Sequence, residues 1–225
     1  MINVEKLKNS QGKVWLNVAS GNYFMDGFIH VDSNWLVPVA GLYPLIKPLL
    51  KQPGREWLEK FNEGRKKGPF VYANCAKPLN VSANSVDHIL ASHFIEHLYH
   101  KNAVTILESF HRMLKPGGTL HVIVPDLECR ARKYVSELGD PKSPDVFIDS
   151  LTYHAETMPR ALIRFLRATG CFDEGHHWMY DQYSMRAIVE KIGFEVLEKN
   201  ETPSAEWRKT QEGQVNLAMR KRPRP

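Results

Sequence analysis

The sequence predicts an α/β fold built on a largely parallel sheet, and three observations predict it. Short apolar runs of strand length end in small or polar residues; Val14-Trp15-Leu16-Asn17-Val18 and Leu120-His121-Val122-Ile123-Val124 are two of them. Between these runs Ala103, Ile106, Leu107, Phe110, Met113 and Leu114 recur at helical spacing, and Lys115-Pro116-Gly117-Gly118 ends that helix. Near the carboxyl terminus Phe194-Glu195-Val196-Leu197 and Val215-Asn216-Leu217-Ala218-Met219 read as strands joined by a polar loop, an antiparallel pair at one edge. Strands that alternate with helices pair in parallel, because a parallel neighbour needs a crossover long enough to hold a helix.

The remaining elements fall into place around these. Phe28-Ile29-His30-Val31-Asp32 is a second strand that ends on a carboxylate. Phe70-Val71-Tyr72-Ala73 is a third strand, and Val86 to Ala91 a fourth. Ser184 to Ile192 is a helix closed by Gly193, with Asp181 placed to cap it. Two segments interrupt this pattern, 34–68 and 126–181, and both are expected to roof the site as caps or lids. The first is apolar from Leu36 to Leu50, and Pro38, Pro44 and Pro48 argue against one continuous helix there. Short helical turns packed on the sheet, or a homodimer face through 36–50, are the expectation; a lid or a membrane-surface segment is the alternative.

Composition narrows the class. The 225 residues are 43% hydrophobic and 24% charged, the balance of one globular domain with a sizeable core. The net charge of +5 comes mostly from the tail, where Arg220, Lys221, Arg222 and Arg224 stand together. Nucleic acid is therefore not an expected partner. Cys75, Cys129 and Cys171 are odd in number and widely spaced, which fits neither a disulfide framework nor a Cys-x-x-Cys metal site. The amino terminus lacks the apolar core of a signal peptide, and no window approaches the ~20 apolar residues of a membrane span. A reducing cytoplasm is the expected location.

In open α/β sheets ligands bind beyond the carboxyl ends of the strands, where the strand order reverses. Ala19-Ser20-Gly21 follows the first strand at such a place, with small residues that let backbone N–H groups approach a ligand. The pattern is not Gly-x-Gly-x-x-Gly, which disfavours a nicotinamide dehydrogenase. Asp32 ends the second strand, where a carboxylate can accept from both hydroxyls of a ribose.

Ser20-Gly21-Asn22 through Gly27-Phe28-Ile29-His30-Val31-Asp32, Lys77-Pro78-Leu79, Asn84-Ser85-Val86-Asp87, Ser92-His93-Phe94-Ile95-Glu96-His97-Leu98 and Leu114-Lys115-Pro116-Gly117-Gly118 together resemble one family. It is the class I S-adenosylmethionine (SAM) dependent methyltransferases, in a small subfamily often associated with polysaccharide and natural-product pathways. The resemblance implies a Rossmann-like seven-stranded methyltransferase sheet, mostly parallel with one antiparallel edge strand and flanked by helices. It implies SAM as cofactor, released as S-adenosylhomocysteine. Ala19, Ser20 and Gly21 would approach it, Asp32 would hold the ribose, and Ser92 and His93 would line the methionine end. Asn74, followed by Cys75, stands where the subfamily tends to carry an Asp near the adenine, and Ala19 stands where it often has Gly or Cys.

His93-Phe94-Ile95-Glu96-His97 also matches His-x-x-Glu-His. On a helix His93 and His97 would share a face and could bind zinc, with Glu96 as base. The methyltransferase resemblance assigns this loop differently and leaves no metal expected: Glu96 and His97 would cap the next helix or face the acceptor. His176, His177 and Tyr180 are polar enough to face the same pocket, whereas Trp178 and Met179 read as core. Tyr153 and His154 are further candidates. Methyl transfer is an in-line displacement, so the enzyme positions the acceptor and, for a hydroxyl, removes its proton. Imidazole suits that base, and His97 and His177 are the two candidates. A small-molecule or glycan acceptor, methylated on oxygen rather than nitrogen, is expected; RNA methylation, or a non-catalytic binding protein of this fold, are the alternatives.

Overall fold

The computed structural model describes residues 2–34, 36–50, 52, 54–152, 175–199, 201–206 and 213–222. Its strands are β1 (Trp15–Val18), β2 (Ile29–Asp32), β3 (Phe70–Tyr72), β4 (Val86–Ser92), β5 (Leu114–Pro125), β6 (Phe194–Val196) and β7 (Gln214–Lys221). They form one sheet in the order β3-β2-β1-β4-β5-β7-β6. β7 runs antiparallel to both β5 and β6, and the other pairings are parallel. The strand order reverses between β1 and β4, whose last residues pair as Val18 with Ala91. The loops leaving these two strands therefore start side by side.

Period-two alternation gives the sheet two unlike faces. Leu16, Val18, Ile29, Val31, Ile89, Ala91, Leu120, Val122 and Val124 enter one large core. That core also holds Ile106, Leu107, Phe110 and Met113 of α3 (His100–Met113) and Met185 and Val189 of α6 (Gln182–Ile192). The intervening residues of the central strands are different: Asn17, His30, His88 and His121 are all buried. A directional hydrogen-bond chain runs across this second face. The amide oxygen of Asn216 can only accept, so His121 donates to it through Nε2 at 2.7 Å. The Ser204 hydroxyl then donates to His121 Nδ1 at 2.7 Å and accepts from His88 Nε2 at 2.8 Å. The Thr119 hydroxyl donates to His88 Nδ1 at 2.8 Å. Both imidazoles are neutral in this arrangement. Burial pushes His88 down to about 3, with His121 adding to the shift, and burial lowers His121 likewise.

The first insertion folds as the prolines require. Val37–Leu42, α1 (Tyr43–Ile46) and Lys47–Leu49 are short helices, each with a proline in its first two positions, where the missing N–H costs nothing. With α2 (Gly54–Gly64) they build a second cluster of Phe24, Leu36, Ala40, Leu58 and Phe61. Leu42, Leu45 and Leu49 stay exposed, Leu49 at 84%. The second insertion contributes α4 (Leu127–Ser136), capped by the Asp126 side chain, and α5 (Ser143–Thr152), with Tyr134 stacked on Phe147 at 4.9 Å. No helix among the described residues is long and apolar enough to cross a membrane.

Two element boundaries carry detail. α6 opens on a capping box between Asp181 and Ser184 and closes at Gly193, whose φ of 112° is left-handed. β5 starts at Leu114, six residues before the strand expected at Leu120, so the Pro-Gly-Gly run lies within extended chain. The pairing with β4 shifts register between Val86 and His88. A Cβ on Gly118 would stand 2.9 Å from the Lys115 carbonyl oxygen and 3.2 Å from those of Val86 and Asp87, so only glycine lets the strands close there.

The buried histidines set an acid limit. Burial lowers His30 to about 4 and His88 to about 3, whereas imidazole in an unfolded chain titrates near ~6.5. The unfolded state therefore binds more protons below pH ~6.5, and stability falls from there down through the two folded values. Urea unfolding near pH 5 is expected to take up about two protons through these side chains. A stability that stays level between pH 6.5 and 5 would contradict it.

Candidate functional site

The loops leaving β1 and β4 flank an open cleft of about 160 Å³, lined by Asn17, Ala19, Ser20, Gly21, Tyr23, Ser92 and His93. Its backbone is strained. Ala19 and His93 have φ of 54° and 51°, in the left-handed region that costs an ordinary residue about 1 kcal/mol. The other non-glycine residue of this kind among those described is Asn84. The surroundings hold the turns in place. The His93 N–H donates to the Ile123 carbonyl at 2.8 Å, and the Gly21 N–H, itself at φ 55°, donates to Asp32 Oδ2 at 2.8 Å.

Asp32 thus organises the cleft wall. Its Oδ1 accepts from the Asn34 N–H at 2.7 Å, so each oxygen holds one backbone donor and keeps lone pairs for more. Burial raises the carboxyl above the ordinary aspartate value, and the N–H bonds from Gly21, Asn34 and Ser33 oppose it. Behind it lies Cys75, buried in the core with its thiol donating toward the Val31 and Ala73 carbonyls. Burial and the Asp32 charge push that thiol up to about 12. Asn74 is exposed, and its side-chain oxygen accepts from the Ala76 N–H at 2.9 Å, which shapes the turn after β3. The hydroxyl oxygens of Ser20 and Ser92, both on cleft-lining residues, are buried without a hydrogen-bond partner among the described residues. Buried hydroxyls are almost always satisfied, so two orphans at one cleft mark a place for a polar ligand. A carboxylate with spare lone pairs, two unsatisfied hydroxyls and an open glycine turn fit the ribose and amino-acid parts of SAM.

The predicted histidines gather beside this cleft. Ile95–His97 is a single 3-10 turn rather than the start of a helix, so His93 and His97 do not share a helical face. Glu96 is 0% exposed. Its Oε1 stands 3.3 Å from His93 Nδ1 and 3.9 Å from His97 Nε2, and neither carboxylate oxygen makes a hydrogen bond among the described residues. Gln214 Nε2 donates to His93 Nε2 at 2.8 Å, which leaves the Nδ1–H of His93 facing Glu96. Gln214 begins β7, and no local signal in the sequence links it to position 93.

The Glu96 main chain ties in the carboxyl-terminal segment, because its carbonyl accepts from the N–H groups of His177 at 2.9 Å and Trp178 at 3.1 Å. His97 donates through Nδ1 to the Gly175 carbonyl at 3.3 Å, and its ring meets that of His176 edge-on at 5.1 Å. His177 stacks on Tyr99 at 4.3 Å. Burial lowers His176 despite the nearby Glu96. Tyr180 is buried, and burial followed by the Glu96 charge pushes its phenol up to about 12. Trp178, expected in the core, is 48% exposed against the His100 ring. Tyr153 and His154 lie outside the described residues.

A family model described as a methyltransferase domain matches residues 12–199. A search of curated proteins found no match to the chain. Among solved structures, SAM-dependent methyltransferases from Methanosarcina mazei superpose with a TM-score of 0.51 at 14% identity, over 93% of this chain and 92% of that one. A protein from Pyrococcus horikoshii gives 0.50 at 12% identity, over 92% and 81%. The cyclase SpnF gives 0.50 at 12% identity, over 94% and 75%. These likenesses show the fold alone.

The strain at the cleft is testable without a ligand. Ala19→Gly removes the left-handed penalty and is expected to leave the unfolding midpoint level or to raise it by up to about 1 kcal/mol of stability. Gly21→Ala meets no atom within 4 Å, yet φ of +55° makes it the destabilising change of the two. Equal midpoints for both variants would show that the turn relaxes freely.

Proposed function

The chain belongs to the SAM-dependent methyltransferase family, and on that premise we propose that it methylates a hydroxyl of a small-molecule or glycan acceptor. The observation that carries this reading is the pairing of two orphaned serine hydroxyls in one cleft, whose Gly21 turn Asp32 holds, with a cluster of histidines beside it. When bound, SAM supplies a methyl group activated by its sulfonium.

The rest falls to the chain's own side chains. Asp32 accepts from the ribose hydroxyls through the lone pairs that Gly21 and Asn34 leave open. Ala19, Ser20 and Gly21 line the same end, with exposed Asn74 after β3 toward the adenine and Cys75 backing Asp32 from the core. Ser92 and His93 line the methionine end. Glu96, His97, His176 and Tyr180 form the acceptor wall, and the Glu96 carbonyl ties the main chain at 177–178 to it. His177, stacked on Tyr99, takes the hydroxyl proton on an imidazole nitrogen. Oxygen is favoured over nitrogen as the target because the mouth offers several imidazoles to a proton that must leave.

Calorimetry with SAM tests the cofactor half. Asp32→Ala is expected to weaken binding by roughly ten- to a hundredfold, the worth of charge-assisted hydrogen bonds. Asp32→Asn keeps one accepting oxygen and should fall between. Unchanged affinity in both would remove Asp32 from the site. For the acceptor half, His177→Ala is expected to lose ~10²–10⁴ in turnover while SAM affinity stays. Full turnover in that variant would shift the base elsewhere.

A further inference from the structure

We propose that Glu96, His97 and His176 form a binding site for a divalent transition-metal ion, which holds and activates the acceptor oxygen. The inference rests on the methyltransferase reading above and gives the acceptor wall its chemistry. One ligand atom from each of the three residues lies within 4.8 Å of the others. Two ligand atoms each ~2.1 Å from a tetrahedral ion stand about 3.4 Å apart, so the 3.9 Å between Glu96 Oε1 and His97 Nε2 has about half an ångström to close on binding. That same distance is too long for a hydrogen bond.

The orientation of each group supports coordination. Glu96 is fully buried, yet neither carboxylate oxygen is hydrogen-bonded among the described residues. A buried carboxylate in that state is strongly unfavourable unless a cation compensates it. His97 spends its Nδ1–H on the Gly175 carbonyl, which fixes the tautomer and turns the Nε2 lone pair toward Glu96. A backbone carbonyl behind a ligating imidazole, as Gly175 provides for His97, is the usual outer support of a metal site. His93 plays a different part. Gln214 occupies its Nε2, so a protonated Nδ1 faces Glu96 and can support the carboxylate but cannot ligate. The site is thus His-Glu-His from residues 97, 96 and 176, and not the pair 93 and 97 that the sequence spacing suggests.

Two imidazoles and one carboxylate suit zinc, manganese, iron or cobalt better than magnesium or calcium. Three protein ligands leave positions open, as in catalytic rather than structural sites. An acceptor hydroxyl on such an ion ionises far more readily, as bound water does. The O–H bond breaks and its proton passes to His177. The freed oxygen forms a bond to the methyl carbon, the carbon–sulfur bond breaks, and its electron pair returns to sulfur, leaving neutral S-adenosylhomocysteine.

The test titrates chelator-treated protein with Zn²⁺ and with Co²⁺, following heat and the visible Co²⁺ absorption. One ion per chain is expected, with a Co²⁺ spectrum typical of nitrogen and oxygen ligands. Glu96→Gln, His97→Ala and His176→Ala should each weaken binding at least tenfold and abolish the ion-induced rise in unfolding midpoint. His93→Asn, chosen because Asn tolerates left-handed backbone, should still bind one ion. No ion bound to the wild type, or one ion retained at full affinity in the three variants, overturns the site. SAM binding measured in parallel separates the two readings. A chain that binds SAM and methylates without any ion keeps the methyltransferase reading and loses this one. A chain that binds one ion through these residues but methylates no hydroxyl keeps the metal site and loses the acceptor assignment.

Discussion

The pairing of β1 with β4 is the constraint on which the site depends. It sets Val18 beside Ala91, and so forces two loops, 19–21 and 92–93, to leave the sheet at one point. Both loops turn through left-handed residues that are not glycine, Ala19 and His93. That strain persists because hydrogen bonds from outside each loop fix it, Gly21 to Asp32 and His93 to Ile123. Strands of the parallel sheet thus contribute more than a platform, since β2 and β5 hold the turns that follow β1 and β4.

Glu96 joins this frame to the rest of the molecule twice. Its carbonyl receives the N–H groups of His177 and Trp178, which brings a segment eighty residues away against the end of β4. Its side chain lies fully buried beside His93 and His97, and its charge acts on the Tyr180 phenol. Main chain and side chain therefore define one wall, and a change at this position alters both the position of the carboxyl-terminal histidines and the charge they face.

Much of the fold was legible because hydrophobic period and chain punctuation agreed. The runs ending at Val18, Asp32 and Ala91 are strands, and the helix through Phe110 and the one closed by Gly193 stand where their spacing placed them. Asp181 caps its helix as the sequence suggested. The early start of β5 was hidden because Pro116-Gly117-Gly118 has the composition of a turn; only the close approach of the Val86 and Asp87 carbonyls reveals it as bulged strand. In the site, the residue types at 19–21, 32 and 92–97 were readable, but the contacts were not. His93-x-x-Glu96-His97 reads as helical spacing, and the 3-10 turn breaks that geometry. Gln214 and Gly175 reach the histidines through tertiary structure, which no local pattern encodes.

The second face of the sheet has a consequence for how this chain can vary. Thr119, His88, Ser204, His121 and Asn216 form a relay in which each hydroxyl or imidazole accepts on one side and donates on the other. Removing any member leaves at least one of the buried His88, His121 and Ser204 with an unmet donor or acceptor, a loss larger than the bond itself. Swapping the whole set for apolar side chains of matching volume carries no such penalty. Substitution across these five positions is therefore epistatic: descendants of this sequence are free to keep the relay or to discard it together, and the intermediates form a fitness valley between the two.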